Sequence, residues 1–218
     1  MNALKTLLVS ATLLVFSQGA WAAFDDDLSQ VQTKWAMVNY ETEGDAQEKA
    51  FEELVKQCVA FVEQYPDRAE AYIWRGIVQS SFAGAKGGLG ALGLAKEAKA
   101  SFEKAIELDK NALSGSALTS LGTLYAQVPG WPIGFGSDKK AKKLFQESLA
   151  INPAGIDVNY FYAQFLYDER DYSAALAHLK KAQNAPSRPG REKADEYRQE
   201  EVAQLLAKVE KKLKRRNK

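Results

Sequence analysis

The C-terminal half of the chain repeats one arrangement of small, bulky and polar positions. In its last copy, Ile156 to Asn184, small residues stand at Ala163, Ala175 and Ala182, and the bulky Leu179 lies between the last two. Small residues at these spacings let two helices approach closely, and the bulky residue fills the space beside them. The segment therefore predicts one helical hairpin.

Two earlier copies keep the same positions but carry insertions where the two helices of each hairpin are joined. The equivalent positions are Gly122, Ala141, Phe145 and Ser148 in the nearer copy and Gly76, Ala98, Phe102 and Ala105 in the farther one. The insertions are residues 82–94 and 128–137, both rich in glycine and large apolar residues. Insertions at equivalent points of a solenoid lie along one edge, so we expect these two to be neighbours.

The three copies occupy residues 68–185, and a further hairpin precedes them. Residues 23–67 predict a degenerate hairpin in which Leu54, Cys58 and Phe61 replace the small residues. Terminal repeats of solenoids are often atypical in this way. The lone Cys58 cannot form an internal disulfide, and its apolar neighbours indicate a buried thiol.

The chain ends with a predicted capping helix and a basic tail, residues 186–218. After a break at PSRPGR, residues 192–214 carry an apolar stripe at helical spacing. The tail is either a solvated helix end or a contact with anionic lipid or an acidic partner. Arg188 and Arg191 are expected to pair with acids such as Asp195, or alternatively to hold an anion.

Residues 1–22 predict a cleavable signal peptide. Lys5 precedes the apolar run Leu7 to Phe16, and Ala20-Trp21-Ala22 supplies small residues before a cleavage site after Ala22. The apolar run is short for a membrane span, although an uncleaved anchor is the alternative. No cysteine follows the site, so the pattern predicts a secreted, periplasmic protein that is not a lipoprotein.

These positions give the chain a resemblance to tetratricopeptide-repeat proteins over roughly residues 50–185, most clearly over 112–185. The resemblance implies an all-α fold, a helical-repeat superhelix (α-solenoid) of about nine helices with a C-terminal capping helix. Such a fold presents a concave groove lined by the first helix of each hairpin.

A narrower resemblance covers the second insertion and its surroundings. Leu121-Gly122 through VPGWPIGFGSDKKA to Ile151-Asn152-Pro153, together with Asn159-Tyr160-Phe161-Tyr162 and residues 185–191, is similar to periplasmic proteins related to the T component of TRAP-type transporters. That resemblance implies a helper that docks on a substrate-binding protein and holds or passes a ligand.

Binding is the function that the pattern favours. The candidate ligand- or partner-binding residues are Ile73, Ile77, Tyr125, Trp131, Phe135, Tyr160, Gln164 and Tyr167. The apolar insertions would form either a lip over an apolar ligand or a docking surface, or they would pack on each other and plug the groove, and a homo-oligomer interface is a third alternative. The tyrosines would line an apolar, aromatic groove or simply pack the helix layer.

Other chemistry is not indicated. With 29 basic and 28 acidic residues, the chain lacks the bulk charge of a nucleic-acid binder. The only histidine, His178, cannot supply a metal cluster. The G-x-G-x-x-G at residues 88–93 follows a predicted helix instead of a strand, so it is not a dinucleotide site. We therefore expect no enzyme, cofactor or metal.

The sequence thus predicts a non-catalytic periplasmic binding protein. Its partner would be a protein, such as a periplasmic substrate-binding protein, or a small apolar ligand, and the transporter resemblance implies a TRAP-type uptake system. The alternative is a general cell-envelope scaffold for protein–protein interaction.

Overall fold

The computed structural model describes residues 3–216, with side chains from Ala22 onward except that of Leu89. Most of the predicted signal peptide therefore lies outside the described side chains. Among the described residues, no helix is long and apolar enough to cross a membrane.

Nine helices and no strands make up the described part of the chain. Their bounds are α1 Ala3–Glu41, α2 Gly44–Gln64, α3 Ala69–Lys86, α4 Gly88–Asp109, α5 Ala112–Gln127, α6 Asp138–Ile151, α7 Ile156–Asp168, α8 Tyr172–Gln183 and α9 Glu192–Arg216. The pairs α3/α4, α5/α6 and α7/α8 form successive hairpins, α1/α2 precede them, and α9 packs on α8 and α7. The predicted tetratricopeptide-like solenoid with a capping helix is confirmed.

The alternation of small and bulky residues holds each hairpin together. In the first repeat, a Cβ added at Gly76 would lie 2.5 Å from the ring of Phe102, which is fully buried. Gly122 faces Phe145 in the second repeat, where a Cβ would meet the ring at 3.3 Å. A bulky side chain on one helix thus fills the space that the glycine of its partner leaves open.

The first insertion is not the irregular loop that its glycines suggested. Helix α3 continues to Lys86 and α4 begins at Gly88, so residues 82–94 lengthen both helices. Only the turn needs glycine, because Gly87 and Gly88 have φ of 62° and 57°. Phe82 and Ala95 are buried along the extended pair, and this packing outweighs the low helix propensity of the other glycines.

A separate apolar cluster packs the N-terminal hairpin against α3. Phe24, Phe51 and Cys58 are buried in it beside Trp74. Burial raises the pKa of the Cys58 thiol to about 12, so the thiolate that would react is suppressed. The predicted buried cysteine is confirmed.

We predict that Gly76→Ala destabilises the fold by about 1–3 kcal/mol, because the new methyl group would overlap the buried ring of Phe102. Gly84→Ala is the matched control in the same helix. A Cβ at Gly84 meets nothing within 4 Å, so this change should stabilise by roughly 0.5–1 kcal/mol through helix propensity. Denaturant unfolding of both variants measures the difference. Equal effects of the two changes would contradict the packing described.

Candidate functional site: the central groove

A groove of about 790 Å³ runs along the inner side of the solenoid. Its lining comes from α1, α2, α3, α5, the start of α7 and the segment from Pro186 to Arg198. The size lies within the usual range for binding pockets, roughly 300–1,000 Å³. The first helices of the repeats and the cap together therefore form one site.

The groove is bounded because the two ends of the chain meet. Tyr40 of α1 stacks on Tyr197 of α9, with ring centroids 4.5 Å apart and planes at 9°. Beside this stack, Lys193 Nζ donates to Glu41 Oε1 at 2.5 Å. The cap therefore contacts the first helix as well as the last repeat, and the sequence did not predict this contact.

A cluster of two arginines and two aspartates fixes the cap to α7. Arg188 Nη1 donates to Asp157 Oδ2 at 2.5 Å, and Arg198 Nε donates to Asp157 Oδ1 at 2.9 Å. Arg188 also bonds Asp195, which confirms the predicted pairing. Burial by itself raises the pKa of Asp157, but Arg198 and Arg188 outweigh that effect and lower it to about 2.

Arg191 differs from its neighbours, because it makes no ion pair within 4 Å among the described residues. The predicted pairing with an acid of the cap is wrong for this residue. Its guanidinium carbon instead lies 4.8 Å from a ring centroid of Trp74 and 5.8 Å from one of Trp35. Burial lowers its pKa and the charge of Arg188 lowers it further, whereas the charges of Asp157 and Asp195 oppose these effects. The guanidinium therefore lies in the groove wall near two carboxylates that both pair with other arginines.

The helices α3 and α5 present matching stripes to the groove. Trp74, Ile77 and Ser81 line it from α3, and Ser120, Thr123 and Gln127 line it from the equivalent positions of α5. The spacing of three and four residues is that of one helix face. The aromatic and aliphatic side lies toward the N-terminal hairpin, whereas α5 contributes hydroxyl and amide groups. The sequence analysis described the groove as apolar and aromatic, whereas the structure lines it with this polar row and with arginines of the cap as well.

The turn into α5 adds a constraint at the edge of the groove. Leu113 and Ser114 have φ of 45° and 57°, in the left-handed region, and Gly115 follows with φ of 77°. Non-glycine residues in this region cost of order 1 kcal/mol each. Both Leu113 and Ser114 line the groove, so the strained turn forms part of the site.

Of the predicted binding residues on α3 and α7, Ile77 lines the groove and Ile73 does not. Ile73 is fully buried in the repeat core, because the inward stripe passes through the next residue, Trp74. Tyr160 is covered by the cap, with the Arg198 guanidinium 4.7 Å from its ring centroid. Gln164 and Tyr167 are half-buried farther along α7, outside the lining.

The predicted residues around the second insertion also lie outside the groove lining. Tyr125 is buried and packs edge-on against Phe135, at 5.6 Å between ring centroids, while Trp131 is exposed. A Cβ at Gly134 would lie 3.5 Å from Leu92, so the two insertions are neighbours as predicted. The second insertion is neither a lip over the groove nor a plug in it, because its tip points to solvent.

Sequence reasoning missed Trp35 and Trp74 as lining residues, and it named Arg191 without placing it beside them. Trp74, Ser120 and Phe161 hold the same place in successive repeats, one residue after the position that was expected to face inward. Because these three residues occupy one position of the repeat, their common orientation could have been inferred from the sequence. The approach of Trp35 and Arg191 could not, because it depends on how the ends of the solenoid meet.

Comparisons with known proteins identify no relative in sequence. No family model matches the chain, and no curated protein matches it. Among solved structures, one described as "Crystal structure of MamA" covers 79% of this chain and 94% of its own, with 15% identity and a TM-score of 0.45. Another, described as "Functional Characterization of Pseudomonas Aeruginosa pilF", covers 86% and 92%, with 18% identity and a TM-score of 0.33. Similarity at this level carries no information about a partner or ligand.

Proposed function

We propose that this chain is a non-catalytic binding protein that holds an extended segment of a partner protein in the central groove. The observation that carries the proposal is the bounded groove of about 790 Å³, formed by three repeats, the N-terminal hairpin and the cap. Solenoids present such extended concave surfaces for binding.

The lining favours a polypeptide as the occupant. The hydroxyl and amide groups of Ser120, Thr123 and Gln127 form a row that can bond the backbone of an extended segment. On the other side, the half-buried Ile77 offers contact to apolar side chains, above the buried ring of Trp74. Arg191 supplies a cation that makes no ion pair within 4 Å among the described residues, so a segment with an acidic residue would complement it.

A small apolar ligand has less support. That interpretation depended on Trp131 and Phe135 closing over the groove, and neither residue lines it. The segment-binding function also covers a general envelope scaffold, which differs only in the identity of the partner.

We also propose that the protein is exported to the periplasm and acts there, as the helper of a TRAP-type uptake system if its partner is a substrate-binding protein. The signal pattern at residues 1–22 supports export. The resemblance around the second insertion supports the transporter role.

For the groove, we predict that a photoreactive p-benzoylphenylalanine at Ser120 or Thr123 forms covalent adducts with a polypeptide in cells of the source organism. Controls at Glu107 and Lys181, which are exposed on second helices, should form none. Mass spectrometry of the adducts identifies the segment. A substrate-binding protein would favour the transporter role, and another envelope protein would favour the scaffold. Adducts at the controls alone, or at no position, would contradict groove binding.

For export, we predict that the protein isolated from the cell envelope begins at Ala23. N-terminal sequencing measures this directly, and replacing Ala20 and Ala22 by Leu should block cleavage because the small residues are removed. A natural chain that retains Met1 and fractionates with cytoplasmic proteins would contradict export.

A further inference from the structure

The tip of the second insertion exposes apolar surface to a degree found nowhere else among the described residues. Trp131 is 89% exposed and Ile133 is 70% exposed, on either side of Pro132. The next most exposed large apolar side chain, Met37, reaches 49%. Two such exposed side chains on one short loop indicate a surface that meets an apolar environment.

The fold holds this tip in shape. Gly134 N donates to Gly130 O at 3.1 Å, and Gly136 N donates to Pro129 O at 3.0 Å. At the base of the loop, Ser137 N donates to Tyr125 O at 2.8 Å. A Cβ at Gly136 would lie 1.8 Å from Val128 O, so the loop closes in a form that only glycine allows there. The exposed side chains are therefore presented by a preformed structure.

Positive charge surrounds the base of the tip. Lys139, Lys140, Lys142 and Lys143 follow the loop in the first turns of α6 and are all exposed. Lys143 pairs with Glu147 at 3.7 Å, whereas the other three make no ion pair within 4 Å among the described residues. Asp138 is the only acid between residues 128 and 143. Lys140 Nζ lies 5.0 Å from the ring centroid of Tyr125, which joins these lysines to the loop.

We propose that this tip docks on an anionic lipid surface, with Trp131 and Ile133 inserted at the interface and the lysines against the head groups. Tryptophan is enriched at membrane–water interfaces because its ring is apolar and its N–H remains polar. Lysines near an anionic surface add attraction that salt screens. An acidic protein would match the charge, but the lipid surface also accounts for the adjacent tryptophan and isoleucine. None of these residues lines the groove, so the inference is independent of the proposed function.

The test places an environment-sensitive NBD fluorophore at the tip of the full chain through Ile133→Cys, with Lys181→Cys as the matched control on an exposed helix. Cys58 is buried and should stay unlabelled. Vesicles of equimolar phosphatidylcholine and phosphatidylglycerol should increase the emission of the tip label, and spin-labelled lipid should quench it. The control label should not respond, and neither label should respond to phosphatidylcholine alone. A local reporter is needed because the N-terminal apolar run could bind vesicles by itself.

Two variants separate the contribution of Trp131 to membrane binding from that of the lysines. In the Ile133→Cys background, Trp131→Ala should weaken the partitioning of the tip label by about tenfold. Joint replacement of Lys139, Lys140 and Lys142 by Gln should weaken it by about fivefold per lysine at low salt. Neither change should alter thermal unfolding, because the side chains are exposed. A tip label that stays in water on anionic vesicles would overturn the proposal. So would a label that responds only when a protein partner is present, which would make the tip a protein contact.

Discussion

The carboxylate of Asp157 fixes the last part of the chain to the repeats. It stands in the first turn of α7 and accepts hydrogen bonds from Arg188, in the turn before α9, and from Arg198, within α9. Two arginines from different points of the cap therefore meet on one acid, and this sets the direction of α9. Along that direction α9 reaches α1, where Tyr197 stacks on Tyr40. The bounded groove, and with it the proposed binding function, depends on this arrangement.

The repeat architecture could be predicted because its determinants are local. Gly76 and Phe102, or Gly122 and Phe145, are close in sequence and carry the same pattern in each hairpin. The contact between α1 and α9 could not be predicted in this way. That contact depends on the total rotation of the solenoid over three repeats. Each hairpin adds a small rotation, and no single residue determines its size. The helical first insertion was missed for a related reason, since burial of Phe82 and Ala95 outweighs the local preference of glycine.

The sequence predicted which helices line the candidate site better than it predicted which residues do. The first helices of the repeats do line the groove, and Ile77 is among the lining residues. The expected inward position was displaced by one residue, so Ile73 is core whereas Trp74 lines the groove. Tyr160 fell on the correct helix but is covered by Arg198 of the cap. The exposed tip at Trp131 could be recognised as apolar from the sequence, but its separation from the groove required the fold.

The pKa of Asp157, measured by a carbon-13 NMR titration of the side-chain carboxyl groups, tests the central interaction most directly. Asp168 on the same helix is the internal reference, because burial raises its pKa above 3.8. If Arg188 and Arg198 bind Asp157, the pKa of Asp157 lies at about 2. Its carboxyl group then stays ionised, and its resonance does not shift, over the pH range in which Asp168 titrates. The stabilisation from this lowered pKa is then complete above pH 3.8 and is lost as the pH falls toward 2. A pKa for Asp157 at or above 3.8 would contradict the account, since it would show that the arginines do not bind the carboxylate.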